Sequence, residues 1–150
     1  MRRSEEGDQP EIVEIDFTVG HRSIGRDVVT SQGYTHDWVC YLKSTDVHGD
    51  LNALIQRCIF HLHPEFQNNK REIRTSPFAI QETGYGGFSM PIDIYFKTKK
   101  DPKKFRIEYD LDLHDLTNGG LKKRSYLRTY RCTFTNPDPD FKQKILAAGG

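Results

Sequence analysis

Apolar and polar residues alternate strictly over residues 11–19, with Val13, Ile15, Phe17 and Val19 on one side and Glu14, Asp16 and Thr18 on the other. A period of two sets one face of a strand against a core and the other in water. The pattern returns at Phe105, Ile107, Tyr109, Leu111 and Leu113, interleaved with Arg106, Glu108, Asp110 and Asp112, and more briefly at Ile92, Ile94 and Phe96. Residues 97–104 between these two runs contain Asp101-Pro102 and read as a hairpin turn. Trp38, Cys40 and Leu42 mark a further strand, as do residues 78–82 and 126–135. Over residues 51–62 two periods compete. Leu51, Leu54, Ile55, Cys58, Ile59 and Leu62 make a helical stripe, while Cys58, Phe60 and Leu62 make a strand, and periodicity leaves the choice open. After Asn136-Pro137-Asp138-Pro139, Phe141, Ile145 and Leu146 ahead of Gly149 predict a short capped helix laid on the core.

Six or more short strands and hardly any helix predict an all-β chain: an immunoglobulin-like antiparallel β-sandwich with a short C-terminal helix. Such folds carry function in the loops at their ends. The 150 residues suffice for one domain, expected over residues 11–150 behind a polar, flexible leader at residues 1–10. Lys and Arg number 22 against 21 Asp and Glu, a net charge of +1, so no whole-molecule field draws in DNA or anionic lipid and electrostatic recognition must be local. Three widely spaced cysteines, Cys40, Cys58 and Cys132, fit a reducing compartment. No apolar run approaches the ~20 residues of a membrane span and the first residues lack a hydrophobic signal centre. The reading is a soluble intracellular protein with no membrane partner.

Three loops hold the candidate chemistry. In Gly84-Tyr85-Gly86-Gly87-Phe88, three glycines surround two aromatics, as suits a backbone that must take positive φ or come close to a bound group. His61-Leu62-His63-Pro64-Glu65-Phe66 and Gly33-Tyr34-Thr35-His36-Asp37-Trp38 add histidines and aromatics at strand ends. Each alone reads first as a packed corner. His61 and His63, with His114 or Cys58, are conceivable zinc ligands, but the closely spaced pairs of zinc sites are missing. With no nucleophile elbow, Walker loop or dinucleotide fingerprint, we expect neither an enzyme nor a cofactor or metal. Lys97, Lys99, Lys100, Lys103 and Lys104, and separately Lys122, Lys123 and Arg124, form basic clusters. They read first as guards of sheet edges and turns, and second as a weak, non-specific DNA contact.

Taken together and in order, the three loops closely resemble the YEATS domain, and within it the ENL-type subfamily of leukaemia fusion partners in transcription elongation. The resemblance runs almost end to end: Gly20-His21-Arg22, Thr35-His36-Asp37-Trp38, Phe60-His61-Leu62-His63, Glu82-Thr83-Gly84-Tyr85-Gly86-Gly87-Phe88, Pro91-Ile92, Tyr95-Phe96-Lys97, Tyr109-Asp110-Leu111, Thr133-Phe134-Thr135-Asn136-Pro137 and residues 144–150. It implies an immunoglobulin-like sandwich in which residues 55–62 are a strand.

It further implies a reader of acetylated or crotonylated lysine on a histone tail, that of histone H3 foremost, in nuclear complexes of transcription elongation or chromatin. An acyl-lysine ends in a planar neutral amide that fits between two aromatic faces. Carried over by position, Phe66 and Tyr85 would form the walls, Tyr34, His63 and Phe88 would close the slot, and Gly84, Gly86 and Gly87 would let the Tyr85 main-chain N–H reach the acyl carbonyl. A buried amide hydrogen bond is worth about 1 kcal/mol net, and an unpaired donor costs ~1–3 kcal/mol, so that N–H demands a carbonyl. An unpaired ammonium in a dry slot costs several kcal/mol, which cation–π attraction of ~0.5–2 kcal/mol does not offset, so plain lysine loses. Asp110 matches the family acid that pairs with an arginine preceding the modified lysine. The sequence departs from the family at Glu65, where a Ser or Thr hydroxyl usually accepts from the acyl amide N–H. A carboxylate also accepts, but it is larger and carries charge. Two alternatives therefore stand beside the reader: a methyl-lysine cage using Glu65, and a histone or nucleosomal DNA binding module indifferent to acylation.

Overall fold

The computed structural model describes residues 9–113 and 123–150. Most of the expected leader lies outside them, as do His114, Lys122 and the side chains of Lys123 and Arg124. The described residues form eight strands: β1 (Ile12–Gly25), β2 (His36–Ser44), β3 (Ile55–His61), β4 (Lys70–Ile73), β5 (Phe78–Gly84), β6 (Phe88–Phe96), β7 (Lys104–Leu111) and β8 (Lys123–Thr135). One helix follows, α1 (Pro139–Ala147). Two four-stranded sheets, β5-β2-β1-β8 and β4-β3-β6-β7, face each other, and every pairing is antiparallel.

Inward positions of the alternating segments make the core: Ile15, Phe17, Val19, Cys40, Leu42 and Phe134 from one sheet, Phe60, Ile92, Ile94, Ile107 and Leu111 from the other, all buried. The hairpin expected over residues 97–104 joins β6 to β7, pairing Ile92 with Ile107 and Ile94 with Phe105. All three cysteines are buried and unbridged. No helix among the described residues is long and apolar enough to cross a membrane.

The contest over residues 51–62 ends in favour of a strand, and the reason for the helical spacing is visible. Leu51 and the residues up to Ala53 form a 3₁₀ turn, with the Asp50 carboxylate accepting from the Asn52 N–H. β3 then pairs Ile55 with Phe96 but Arg57 with Tyr95, a bulge that inserts Gln56. One extra residue resets the parity, so Ile55 and Cys58 both face inward three apart, as on a helix. Two features escaped the pattern altogether. β1 runs six residues past Val19 because its inward positions there are His21 and Ser23, both buried although polar. β4 has only four residues and no fully buried side chain.

The two ends of the sandwich differ. At one end α1 buries Phe141 and Ile145, and Phe96, Phe134 and Phe141 form a triad with ring centroids 5.1–6.1 Å apart. This plug closes the core beside the β6–β7 hairpin. The β1–β2, β3–β4 and β5–β6 connections emerge at the opposite end.

Candidate functional site

These three connections converge on a narrow cleft of about 90 Å³. Its lining is Tyr34 from the first, His63, Glu65 and Phe66 from the second, and Gly84, Tyr85, Gly86, Gly87 and Phe88 from the third. All nine residues anticipated for an acyl-lysine slot are thus brought together, although 54 positions separate Tyr34 from Phe88 in the chain. A wider surface hollow, about 610 Å³, lies over β1 and β2 near Arg22, Asp37 and Val39.

The cleft is aromatic and braced from behind. Trp38, buried on β2, meets Phe66 edge-on at 6.3 Å and Phe88 at 6.1 Å. Phe66 and Phe88 lie 5.8 Å apart, and His63 stands 6.1 Å from Phe88. On the outer side Tyr85, 59% exposed, stacks on Tyr34 at 5.9 Å with 26° between planes. Tyr85 therefore has one face on Tyr34 and an edge in water, while Phe66 is held against the core. A Cβ at Gly84 would sit 3.5 Å from the Trp38 indole nitrogen and 3.7 Å from the Phe66 ring, so the missing side chain leaves space beside the Phe66 wall.

Of the three loop glycines, Gly87 works by close approach. Positive φ among glycines occurs at Gly33 and Gly149, not at Gly84, Gly86 or Gly87. A Cβ on Gly87 would lie 2.3 Å from the Leu111 carbonyl oxygen, so this glycine lets the loop rest directly on the backbone of β7. A Cβ on Gly86 would meet nothing within 4 Å.

Polar contacts fix the loops. The Tyr85 hydroxyl donates to both carboxylate oxygens of Glu65, at 2.9 and 3.2 Å, and this bond together with the nearby charge raises the hydroxyl pKa. The Glu65 main-chain N–H donates to His63 Nδ1 at 3.1 Å, so that nitrogen carries the lone pair. Arg71 of β4 donates to the carbonyls of Gln67 and Asn68 and pairs with Glu82 of β5 at 2.6 Å, clamping the second loop to the third. The Thr35 N–H donates to the Gly84 carbonyl at 2.9 Å, and Asp37 accepts from Arg26 and from the Thr83 hydroxyl, both at 2.8 Å. Sequence reading missed Arg71, Glu82 and Arg26 as braces. Each looks like an ordinary surface charge until the loops are brought together.

The other candidates fall elsewhere. His61 Nε2 turns away from the cleft to Asp93, 2.9 Å distant, which parts it from His63, and Cys58 is in the core. No cluster of three metal-ligating side chains occurs among the described residues. Asp110 is exposed on β7 opposite Ser89, one position along from the Phe88–Leu111 pair and thus next to the cleft without lining it. In the hairpin lysine cluster, Lys97 bonds the Asn52 carbonyl, Lys100 pairs with Asp138 and Lys104 approaches Asp93, all at the end remote from the cleft.

Comparison with known proteins decides the lineage of this arrangement. The family model described as YEATS family matches residues 33–115, a stretch that includes all nine cleft residues and Asp110. The chain belongs to the YEATS family. Protein AF-9 of Mus musculus is 39% identical over 138 residues, covering 92% of this chain and 24% of that protein, and AF-9 of Homo sapiens is 38% identical over the same coverage. The chain thus spans about a quarter of the length of these curated relatives. Among solved structures, the Yaf9 YEATS domain bound to H3K27ac superposes with a TM-score of 0.79 at 22% identity, covering 93% of this chain and 96% of that one. The Yaf9 YEATS domain recognizing an H3K122suc peptide gives 0.78 at 23% identity, with the same coverage. At that identity the likeness establishes the fold, the immunoglobulin-like sandwich of YEATS domains.

Proposed function

We propose that this YEATS domain reads acylated lysine on a histone tail, with acetyl-lysine and crotonyl-lysine as its ligands, and serves a nuclear complex of chromatin or transcription elongation. One observation carries the reading: three loops converge on one narrow cleft lined by Tyr34, His63, Phe66, Tyr85 and Phe88. The related AF-9 proteins and the acetylated peptide on the Yaf9 domain support it. The flat acyl amide enters between Phe66 and Tyr85, and the Tyr85 main-chain N–H donates to its carbonyl. Gly86 and Gly87 keep that stretch of backbone free of side chains. A charged lysine, which would surrender hydration for two ring faces, is left outside. Crotonyl, with a planar π system extending past the amide, stacks on more of the walls than acetyl does.

Asp110, exposed beside the cleft, pairs with an arginine of the tail and sets register; an exposed ion pair of this kind adds ~0.2–1 kcal/mol. An extended tail buries little else, so affinity is roughly micromolar or weaker, about 8 kcal/mol or less. The module binds and releases without chemistry of its own. A second reading, a cage for trimethyl-lysine, draws on the Glu65 carboxylate at the aromatic rim, and a weak DNA contact through exposed lysines is an accessory to either.

The test is calorimetric titration of unmodified, acetylated, crotonylated and trimethylated lysine peptides against the domain and its Tyr85→Ala variant. Acylation should raise affinity at least tenfold, and Tyr85→Ala should erase the gain. Equal binding of all four peptides would point to a module indifferent to acylation, and preference for the trimethylated one to the cage.

A further inference from the structure

The cleft has one charge built into its lining. Of its nine residues Glu65 alone carries a carboxylate, and none is Lys or Arg. The carboxylate is tethered at the rim, because the Tyr85 hydroxyl donates to both of its oxygens and Tyr85 is itself stacked on Tyr34. Among the described residues Glu65 enters no ion pair, while the cations that brace the loops, Arg26 and Arg71, are paired with Asp37 and Glu82. His63 receives the Glu65 main-chain N–H on Nδ1. A carboxylate with no ion-pair partner among the described residues therefore lines a space of about 90 Å³. Such a space is roughly 5 Å across, inside the ~8 Å Debye length of physiological salt, so dissolved ions screen one charge in it from another only in part until the salt is raised towards 1 M, where that length falls to ~3 Å.

From this we infer that Glu65 is a charge filter on acyl-lysine ligands: neutral acyl groups enter the cleft, and acyl groups that end in a carboxylate, such as succinyl and glutaryl, are rejected. The inference rests on the acyl-lysine reading and deepens it. A butyryl chain and a succinyl chain have nearly the same length and share the amide that the walls would hold, but only succinyl brings a second anion to the Glu65 carboxylate. At this separation, like charges at a partly hydrated protein surface oppose binding by roughly ten- to a hundredfold. A Ser or Gln in the same place would still offer an oxygen to the acyl amide N–H without imposing that penalty.

The experiment compares butyryl-lysine and succinyl-lysine peptides of one sequence, by calorimetry or fluorescence polarisation, against the wild type, Glu65→Gln and Glu65→Ser. Glu65 is exposed, so the variants keep the fold, and their circular dichroism and melting curves verify it. The wild type should bind butyryl at least tenfold more tightly than succinyl, and Glu65→Gln should shrink that ratio to about threefold or less through a gain in succinyl affinity. A second readout needs no mutation: raising salt should narrow the butyryl-to-succinyl ratio in the wild type, since the charges of the peptide backbone cancel in the ratio. Equal affinity of the wild type for both peptides, or a ratio that Glu65→Gln leaves unchanged, overturns the filter while leaving the reader standing. Failure of every acylated peptide to bind the wild type overturns the reader and the filter with it.

Discussion

Replacing Gly87 by alanine tests the idea that the third loop is held in place by resting on the backbone of β7. The added Cβ would lie 2.3 Å from the Leu111 carbonyl oxygen, 3.1 Å from the Asp112 Cα and 3.2 Å from the Leu113 nitrogen. Carbon-to-oxygen contacts in proteins close to about 3.3 Å, so the loop and β7 must part by roughly 1 Å. All three obstructing atoms are backbone, and none is the movable tip of a side chain. β7 is pinned by its ladder to β6 and by the His21 ring, which donates from Nε2 to the Asp112 carbonyl at 2.8 Å, so the loop yields. Overpacking of this kind costs about 1–3 kcal/mol, which in a chain of this size lowers the melting temperature by roughly 2–12 °C. The displaced segment includes Tyr85, and loss of the main-chain hydrogen bond to the acyl carbonyl, about 1 kcal/mol, would weaken an acetylated peptide about fivefold. Gly86→Ala is the matched control, since its Cβ meets nothing within 4 Å and its φ is not positive. Calorimetric melting and peptide titration of both variants read the two effects. If Gly87→Ala melts like Gly86→Ala and binds like the wild type, the close approach to β7 does not hold the loop and the reasoning fails.

Two further predictions concern buried titratable groups. The His21 ring accepts from the Tyr109 hydroxyl at 2.6 Å and donates to the Asp112 carbonyl; burial depresses its pKa, against the pull of that bond and of the Asp112 and Asp110 charges. The unfolded chain then takes up a proton below its ordinary value of 6.5 that the fold refuses, so stability should fall as pH drops below about 6.5. Urea midpoints measured from pH 8 to 5, with and without His21→Gln, check this; a wild-type midpoint flat across that window would refute it. On the other sheet, the Arg106 guanidinium, bonded to Asp93 at 2.7 and 2.9 Å, together with His61 and Lys104 holds the Asp93 carboxyl well below the usual carboxylate range against its burial. Its contribution is complete above the ordinary value of 3.8 and is lost as pH falls through the depressed one. Asp93→Asn should therefore melt lower than the wild type at pH 7 and show a shallower decline below pH about 4, whereas parallel melting profiles would count against the ion cluster.

Periodicity read the sandwich well because pleating is a local property. Successive side chains of a strand point to opposite faces whatever the partner, so the runs around Val13, Ile92 and Ile107 disclosed their inward residues before any strand was paired. Pattern failed where an inward position was polar, as at His21 and Ser23, or where a bulge changed parity, as at Gln56. The cleft was legible in a different way. No period links Tyr34, Phe66 and Tyr85, and their grouping came from likeness to a known family rather than from spacing. Contacts between loops distant in the chain had no signal in it. The Gly87 approach to Leu111, the Arg71 clamp and the Glu65–Tyr85 bond all depend on which loops the two sheets bring to the same end. Local chemistry along the chain sets which residues can be buried and where strands lie, while the packing of one sheet on the other sets which side chains meet.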